Sequence, residues 1–239
     1  MDNLFITRHF DWALHSRGRV RLFNLLLRRL GYTAQFVSGA ATGAMSSVEQ
    51  RINIYHLVSQ LLVFGVPGDI VEFGSLEGQS AALLRMIADQ YDAARPLHVF
   101  DAFMDPPLER LVENFHQLGL VLPVIHQGLL ADTIDELPER ICFAYIDLGP
   151  VPDIKQGPGV SHAGLSDAIR LALGQVYPRI SAGGIILLQD YRLPGQIGAL
   201  DPNPQVREVA DAFFEGKPES LVSVHGGPYA HAFVRKFAV

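Results

Sequence analysis

Two acidic side chains and one carboxamide stand at the ends of two strongly apolar runs. "ICFAYID" ends on Asp147, and "GGIILLQDY" carries Gln189 and Asp190 just after four aliphatic residues. Runs this apolar are expected as strands buried on both faces. If the two strands are neighbours, their ends bring two carboxylates and an amide oxygen to one rim. That oxygen set suits a hard divalent cation such as Mg2+, which keeps waters and lends positions to a substrate. The plainer alternative is that Asp190 caps a turn and Gln189 faces solvent.

A second group lies upstream, in "VEFGSLEGQS": Glu72, Gly74, Gly78 and Ser80. A glycine turn that leaves a strand and opens a helix lets the backbone approach a ligand, and the helix N-terminus favours an anion. The spacing is G-x-x-x-G, not the dinucleotide G-x-G-x-x-G, and no Walker lysine follows. The next apolar run, "LHVFDAF", ends on Asp101, where a carboxylate can hold ribose hydroxyls. Alternatively Asp101 is the N-cap of the next helix. Together the glycine turn and the acid point to an adenosine-like ligand.

These groups need a frame, and the chain supplies one. From Val66 onward, strand-like and helix-like segments alternate. Five strand–helix units in series demand a mainly parallel sheet with helices on both faces. The last two runs, "LVSVHGG" and "YAHAFVRKFAV", are joined by a Gly-Gly-Pro link too short for a parallel crossover, so they close the sheet as an antiparallel hairpin. Upstream, Ser46 with Glu49 is the expected capping box of a helix reaching about Phe64. Residues 1–45 differ from the rest. "RGRVRLFNLLLRRLGY" has leucines near helical spacing among arginines, and "SGAATGA" follows as a linker or lid would. The expected organisation is a helical extension over 1–45 and a main domain over 46–239. Two long loops, Gly149–Gly164 and Arg192–Pro204, follow strand ends, the edge at which open α/β sheets bind ligands.

Composition narrows the class. The 239 residues are 49% hydrophobic and carry a formal charge of −6. There is ample apolar material for a core. No basic surplus exists for phosphate neutralisation, so no nucleic-acid partner is expected. The N-terminus lacks the pattern of a signal peptide, and the apolar stretch near "LVSQLLVFGV" is too short to span a bilayer, so an intracellular, cytoplasmic protein with no membrane partner is expected. The single cysteine, Cys142, excludes an internal disulfide and falls in an apolar run, as a buried inert thiol would.

Several of these segments resemble the macrocin O-methyltransferase family over roughly Met45 to Gly216. "GVPGDIVEFGSLEGQS" is similar to its first motif, "VFDAF" to its Asp-Ser-Phe motif, "QGLLADTIDELP" to its Gly-x-Phe-x-x-Thr-Leu-Pro segment, and "YPRISAGGIILLQDY" to its Tyr-Pro…Gly-Gly…Asp-Asp-Tyr segment. Catechol-type O-methyltransferases share the Gly-x-x-x-Gly-x-Ser arrangement. The resemblance implies a Rossmann-like class I methyltransferase sheet of seven mostly parallel strands. It also implies S-adenosyl-L-methionine (SAM) as cofactor, Mg2+, a small-molecule hydroxyl acceptor such as an antibiotic sugar, and a homo-oligomer. Carried onto this chain, Gly74, Ser75, Gly78 and Ser80 would line the methionine end of SAM with Glu72 nearby. Asp101 would hold the ribose, Gln127 and Gly128 would lie near adenine, and Met45 would close over the cofactor. Asp147 and Asp190 would bind the metal with Gln189. The chain departs from the family in two places. The paired acids of the fifth strand become Gln189-Asp190, and the second acid after the fourth strand becomes Gly149, followed by an insertion of about ten residues.

The mechanism implied is inversion-type methyl transfer to a hydroxyl, with positioning as the main contribution. Asp147 is a candidate base beside or instead of ligating; His162 and Lys155, in the insertion, are rivals. His225 and His231 are expected as structural or rim residues. Competing functions are a non-catalytic SAM-binding protein, a nicotinamide-dependent dehydrogenase, for which the glycine spacing is wrong, and an iron-dependent oxidase.

Overall fold

A computed structural model describes residues 46–104, 107–149, 162–195, 203–227 and 230–237. The expected extension over 1–45, with Met45, and the Lys155 candidate lie outside the described residues.

The chain lays down α1 (Val48–Val63), β1 (Asp69–Phe73), α2 (Gln79–Tyr91), β2 (Leu97–Asp101), α3 (Leu108–Leu118), β3 (Val124–Gln127), a short α4 (Leu130–Thr133) and β4 (Ile141–Ile146). It continues with α5 (His162–Val176), β5 (Ile180–Gln189), α6 (Gln205–Phe214), β6 (Val222–Val224) and β7 (His231–Arg235). The strands form one seven-stranded sheet in the order β3-β2-β1-β4-β5-β7-β6. β1 to β5 are parallel, and β7 runs antiparallel to both β5 and β6. The expected parallel sheet with an antiparallel end is therefore what forms. The order reverses between β1 and β4, which opens a crevice at their carboxyl ends.

Register decides which side chains meet. Side chains alternate between faces with period two, and residues paired across strands share a face. Val71 and Phe73 of β1, Phe100 of β2, Ala144 and Ile146 of β4, Ile186 and Leu188 of β5, and Ala232 and Val234 of β7 pack on one face. There they meet Leu165, Ile169 and Leu173 of α5 and Val206, Val209, Ala210 and Phe214 of α6 in one buried cluster. The opposite face takes the intervening residues. Glu72 pairs with Tyr145, Tyr145 with Leu187, and Gln189 with His231. Glu72, Asp101, Tyr145, Asp147, Gln189 and His231 therefore project from the same side. That side is covered in part by α1, whose Gln50 reaches Gln189 and whose Gln60 accepts from Arg235.

α1 is anchored at its start. The capping box is one residue later than expected: Ser47 is the N-cap and Gln50 the reciprocal partner, not Ser46 and Glu49. The Ser47 hydroxyl accepts from the Gln50 amide at 3.0 Å, and the Gln50 side chain accepts from the Ser47 amide at 2.8 Å. The sequence "SSVEQ" permits either frame; the frame that forms also lets the Ser47 hydroxyl donate to the Gly226 carbonyl in the β6–β7 connection at 2.8 Å. Asn53, further along α1, donates to the His225 carbonyl at 2.8 Å. Ser47→Ala removes both the cap and the tie to the hairpin. It should lower unfolding stability by about 1–2 kcal/mol, measured as a shift in urea midpoint at unchanged slope.

Candidate functional site

The crevice begins with a glycine. β1 and β4 lie side by side, and the chain leaving β1 must pass the end of β4. Gly74 has φ +81°, and a Cβ there would sit 2.0 Å from the Asp147 carbonyl oxygen. No other residue fits that approach. Gly78, also at φ +81°, is the N-cap of α2 and leaves the first turn of that helix without a side-chain cap. The uncapped N–H groups and the helix dipole make this a place for an anionic group, as expected for the carboxylate end of an amino acid.

Asp101 holds this turn in shape. Its carboxylate accepts from the backbone amides of Ser75 at 2.7 Å, Leu76 at 2.9 Å and Phe103 at 2.6 Å. Leu76 sits at φ +47°, a conformation that these bonds help to hold. Asp101 is not the N-cap of α3; Pro107 is. A carboxylate offers about four acceptor sites, so hydroxyls of a ribose would share Asp101 with the turn. Gln127 ends β3 with its side chain exposed, and the Gly128 amide donates to the Asp101 carbonyl at 3.0 Å. These residues and the glycine turn thus border one region.

Glu72 is the most unusual group there. It is completely buried, and among the described residues neither carboxylate oxygen makes a hydrogen bond of good geometry, although the Ser75 and Ser80 hydroxyls lie near enough to act on it. Burial pushes its pKa up to about 8, with the nearby Asp101 charge adding and the Ser80 and Ser75 hydroxyls partly offsetting. A buried carboxyl with both oxygens poorly bonded fits a site built for a positively charged, hydrogen-bonding ligand. SAM has that character, with a sulfonium and an ammonium group, so the residues present fit it.

Asp147, Gln189 and Asp190 converge at the same rim, but the three are not equivalent. Asp147 keeps some exposed surface, and its pKa is driven well above the usual carboxylate range by burial first, then by Asp190 and Glu72. Gln189 is buried, not solvent-facing. Its Oε1 lies 2.8 Å from the Tyr145 hydroxyl, 3.0 Å from the Gln50 Nε2 and 2.6 Å from the His231 Nε2. Its Nε2 donates to Asp190 Oδ1 at 3.2 Å, and Asn203 donates to Asp190 Oδ2 at 2.7 Å. The amide therefore turns its nitrogen, not its oxygen, toward Asp190. Among the described residues no group of three His, Cys, Asp or Glu side chains is placed to hold a metal ion. The expected metal set of Asp147, Gln189 and Asp190 thus lies at one rim, with the Gln189 oxygen surrounded by Tyr145, Gln50 and His231.

Tyr145, Gln50 and His231 were not foreseen as parts of the site. Tyr145 had a signal, since it lies two residues before Asp147 and so on the same face of a strand. Gln50 and His231 had none, because their place follows from pairings remote in sequence. His231, expected as a structural or rim residue, is buried with its pKa pushed down to about 3 by that burial. It is therefore a neutral imidazole. His162 opens α5, and its side chain lies outside the described residues. Cys142 is buried with its thiol pushed up to about 12, which suits an inert role.

The arrangement has known counterparts. In a comparison with solved structures, the O-methyltransferase NovP superposes with a TM-score of 0.64 at 18% identity, covering 80% of this chain and 81% of NovP. TomG from Streptomyces achromogenes, solved in complex with SAM, gives a TM-score of 0.57 at 13% identity over 95% of this chain and 93% of TomG. The fold is that of a class I methyltransferase. No family model matches the sequence. Two curated proteins are related to it. The first is 8-demethyl-8-(2,3-dimethoxy-alpha-L-rhamnosyl)-tetracenomycin-C 4'-O-methyltransferase of Streptomyces olivaceus, 24% identical over 68% of this chain and 71% of the relative. The second is mycinamicin III 3''-O-methyltransferase of Micromonospora griseorubida, 26% identical over 63% of this chain and 65% of the relative. No helix among the described residues is long and apolar enough to cross a membrane.

Glu72 leads to a stability prediction. Unfolded, it releases its proton near 4.5; in the folded protein without ligand, near 8. Between these values the folded state holds a proton that the unfolded chain has lost, so stability falls as pH rises. Glu72→Gln removes that slope. At pH 8 the variant should be more stable than the parent by on the order of 3–5 kcal/mol, with the gap closing below pH 5, as read from denaturant unfolding of both proteins across pH.

Proposed function

We propose that this chain is a SAM-dependent O-methyltransferase that methylates a hydroxyl of a small natural product, with a sugar hydroxyl as the first acceptor to test. The observation that carries it is the buried, poorly bonded Glu72 carboxyl beside the Gly74–Gly78 turn, within a class I methyltransferase sheet. The names of the two curated relatives, one an O-methyltransferase of a rhamnosyl-tetracenomycin and the other a mycinamicin III 3''-O-methyltransferase, support the choice of acceptor. In this proposal residues 46–239 carry the reaction, in the cytoplasm, and the active form is a homo-oligomer.

When bound, SAM supplies an electrophilic methyl group: the S–CH3 bond breaks as the O–CH3 bond forms, the bonding pair stays on sulfur, and S-adenosylhomocysteine (SAH) leaves. The chain's own residues do the rest. The Gly74–Gly78 turn and the first turn of α2 bind the amino-acid end. Glu72 balances its positive charge. Asp101 fixes the turn and shares its remaining acceptor capacity with the ribose, and Gln127 and Gly128 border the base. Asp147 takes the proton from the acceptor hydroxyl. It stands at the β4 end with the Tyr145 hydroxyl 3.4 Å away, on the face that Glu72 also occupies. Burial and two acidic neighbours make it a better proton acceptor than an exposed aspartate.

Calorimetry with SAH and a methylation assay on rhamnosyl-tetracenomycin and mycinamicin III acceptors test this directly. The purified protein should bind SAH and transfer methyl from SAM. Asp147→Asn should lower kcat by roughly 10²–10⁴-fold while SAH affinity stays within a few-fold. SAH binding without transfer to any hydroxyl acceptor would leave the chain a non-catalytic SAM-binding protein. No SAH binding would end the proposal.

A further inference from the structure

The family this chain resembles implies an oxygen-ligand metal site at the ends of β4 and β5, and here that site is filled differently. We infer that methyl transfer by this chain is independent of a divalent ion, because the Gln189 carboxamide, locked by Tyr145, Gln50 and His231, turns its N–H to Asp190 and offers no free oxygen to the rim. This rests on the O-methyltransferase proposal and goes beyond it.

Three observations carry the inference. First, the Gln189 oxygen is committed. The Tyr145 hydroxyl, the Gln50 amide nitrogen and the His231 ring nitrogen all lie within 3.0 Å of it. An amide oxygen has two lone pairs, so nothing is left for a cation. Second, the orientation is fixed from the other side. Flipping the amide to aim its oxygen at the rim would set that oxygen against the Asp190 carboxylate, 3.2 Å from the present nitrogen. It would also require the three surrounding donors to find another acceptor in a buried place, at a cost for each. The His231 ring agrees with this arrangement: its Nδ1 lies 3.5 Å from the Asn53 amide nitrogen, leaving Nε2 to carry the proton that Gln189 receives. Third, the remaining oxygens are fewer than the family's set. Asp190 already accepts from Gln189 and Asn203. Gly149, where the family places a further acid, has no side chain. Asp147 and the remaining acceptor sites of Asp190 would then have to hold Mg2+ or Mn2+ without the third protein oxygen.

The network reaches well beyond the rim. Gln50 comes from α1, His231 from β7, and Tyr145 from β4, so the amide is held by three elements at once. A metal would have to reorganise all of them to recruit Gln189.

The test uses full-length protein treated with EDTA and dialysed, then saturated with SAH. MgCl2 and MnCl2 are titrated separately, with heat and, for Mn2+, the electron paramagnetic resonance signal as readouts. No saturable ion binding is expected, SAH affinity should change by less than about twofold, and methylation should be equal in EDTA and in MgCl2. As a positive control, Gln189→Asp restores a carboxylate that can turn toward the rim, and that variant should gain saturable Mn2+ binding. Saturable Mn2+ binding by the unaltered protein that Asp190→Asn abolishes, or a tenfold or greater loss of methylation in EDTA, would overturn the inference. Failure to bind SAH would instead overturn the methyltransferase proposal beneath it, so the two are separable.

Discussion

The site depends on one electrostatic constraint: acidic side chains are gathered on one face of the sheet, and the hydrogen bonds that meet them among the described residues come from amides and hydroxyls. Register alone puts Glu72, Asp101 and Asp147 on that face, and Asp190 follows Gln189 at its rim. Each acid is handled differently. Asp101 is satisfied by backbone amides of the turn it shapes. Asp190 receives two neutral amide donors. Glu72 receives none of good geometry, and it is the group most deeply cut off from water. A folded protein that leaves a carboxyl in this condition gives up stability for it, and the return is a place that favours a cation.

Positioning follows from the way the two ends of the described domain meet. The cap of α1 is tied to the β6–β7 connection through Ser47 and Asn53. That tie sets Gln50 over the end of β5, while β7 brings His231 alongside Gln189. An N-terminal helix and a C-terminal strand thus converge on one carboxamide in the middle of the crevice. The result is a neutral, hydrogen-bonded carboxamide at the rim that Asp147 shares. In the proposed reaction, a wall fixed in this way would leave an acceptor hydroxyl little further ordering to undergo.

The architecture was largely legible in the sequence, for a physical reason. Long apolar runs such as "ICFAYI" and "GGIILL" can be buried only within a sheet covered on both faces, and the short Gly-Gly-Pro link forces the closing strands antiparallel. The strand-end positions of Asp101, Asp147 and Asp190 followed from the same pattern. The parts that were not legible depend on pairing. The hub at Gln189 requires the β5–β7 register and the seating of α1, neither of which is encoded locally. The shift of the capping box from Ser46 to Ser47 was likewise decided by a distant carbonyl, that of Gly226. A carboxamide at the end of a strand reads equally well as a metal ligand or as a hydrogen-bond hub until its neighbours are known.

The central claim is that Glu72 is held neutral in the free protein and becomes charged when a cationic cofactor enters. Calorimetry of SAM binding near pH 7, repeated in buffers of different ionisation enthalpy, measures this most directly. The account predicts a net release of protons to the buffer on binding, lost in Glu72→Gln. Binding with no proton release, or release that persists undiminished in that variant, would contradict it.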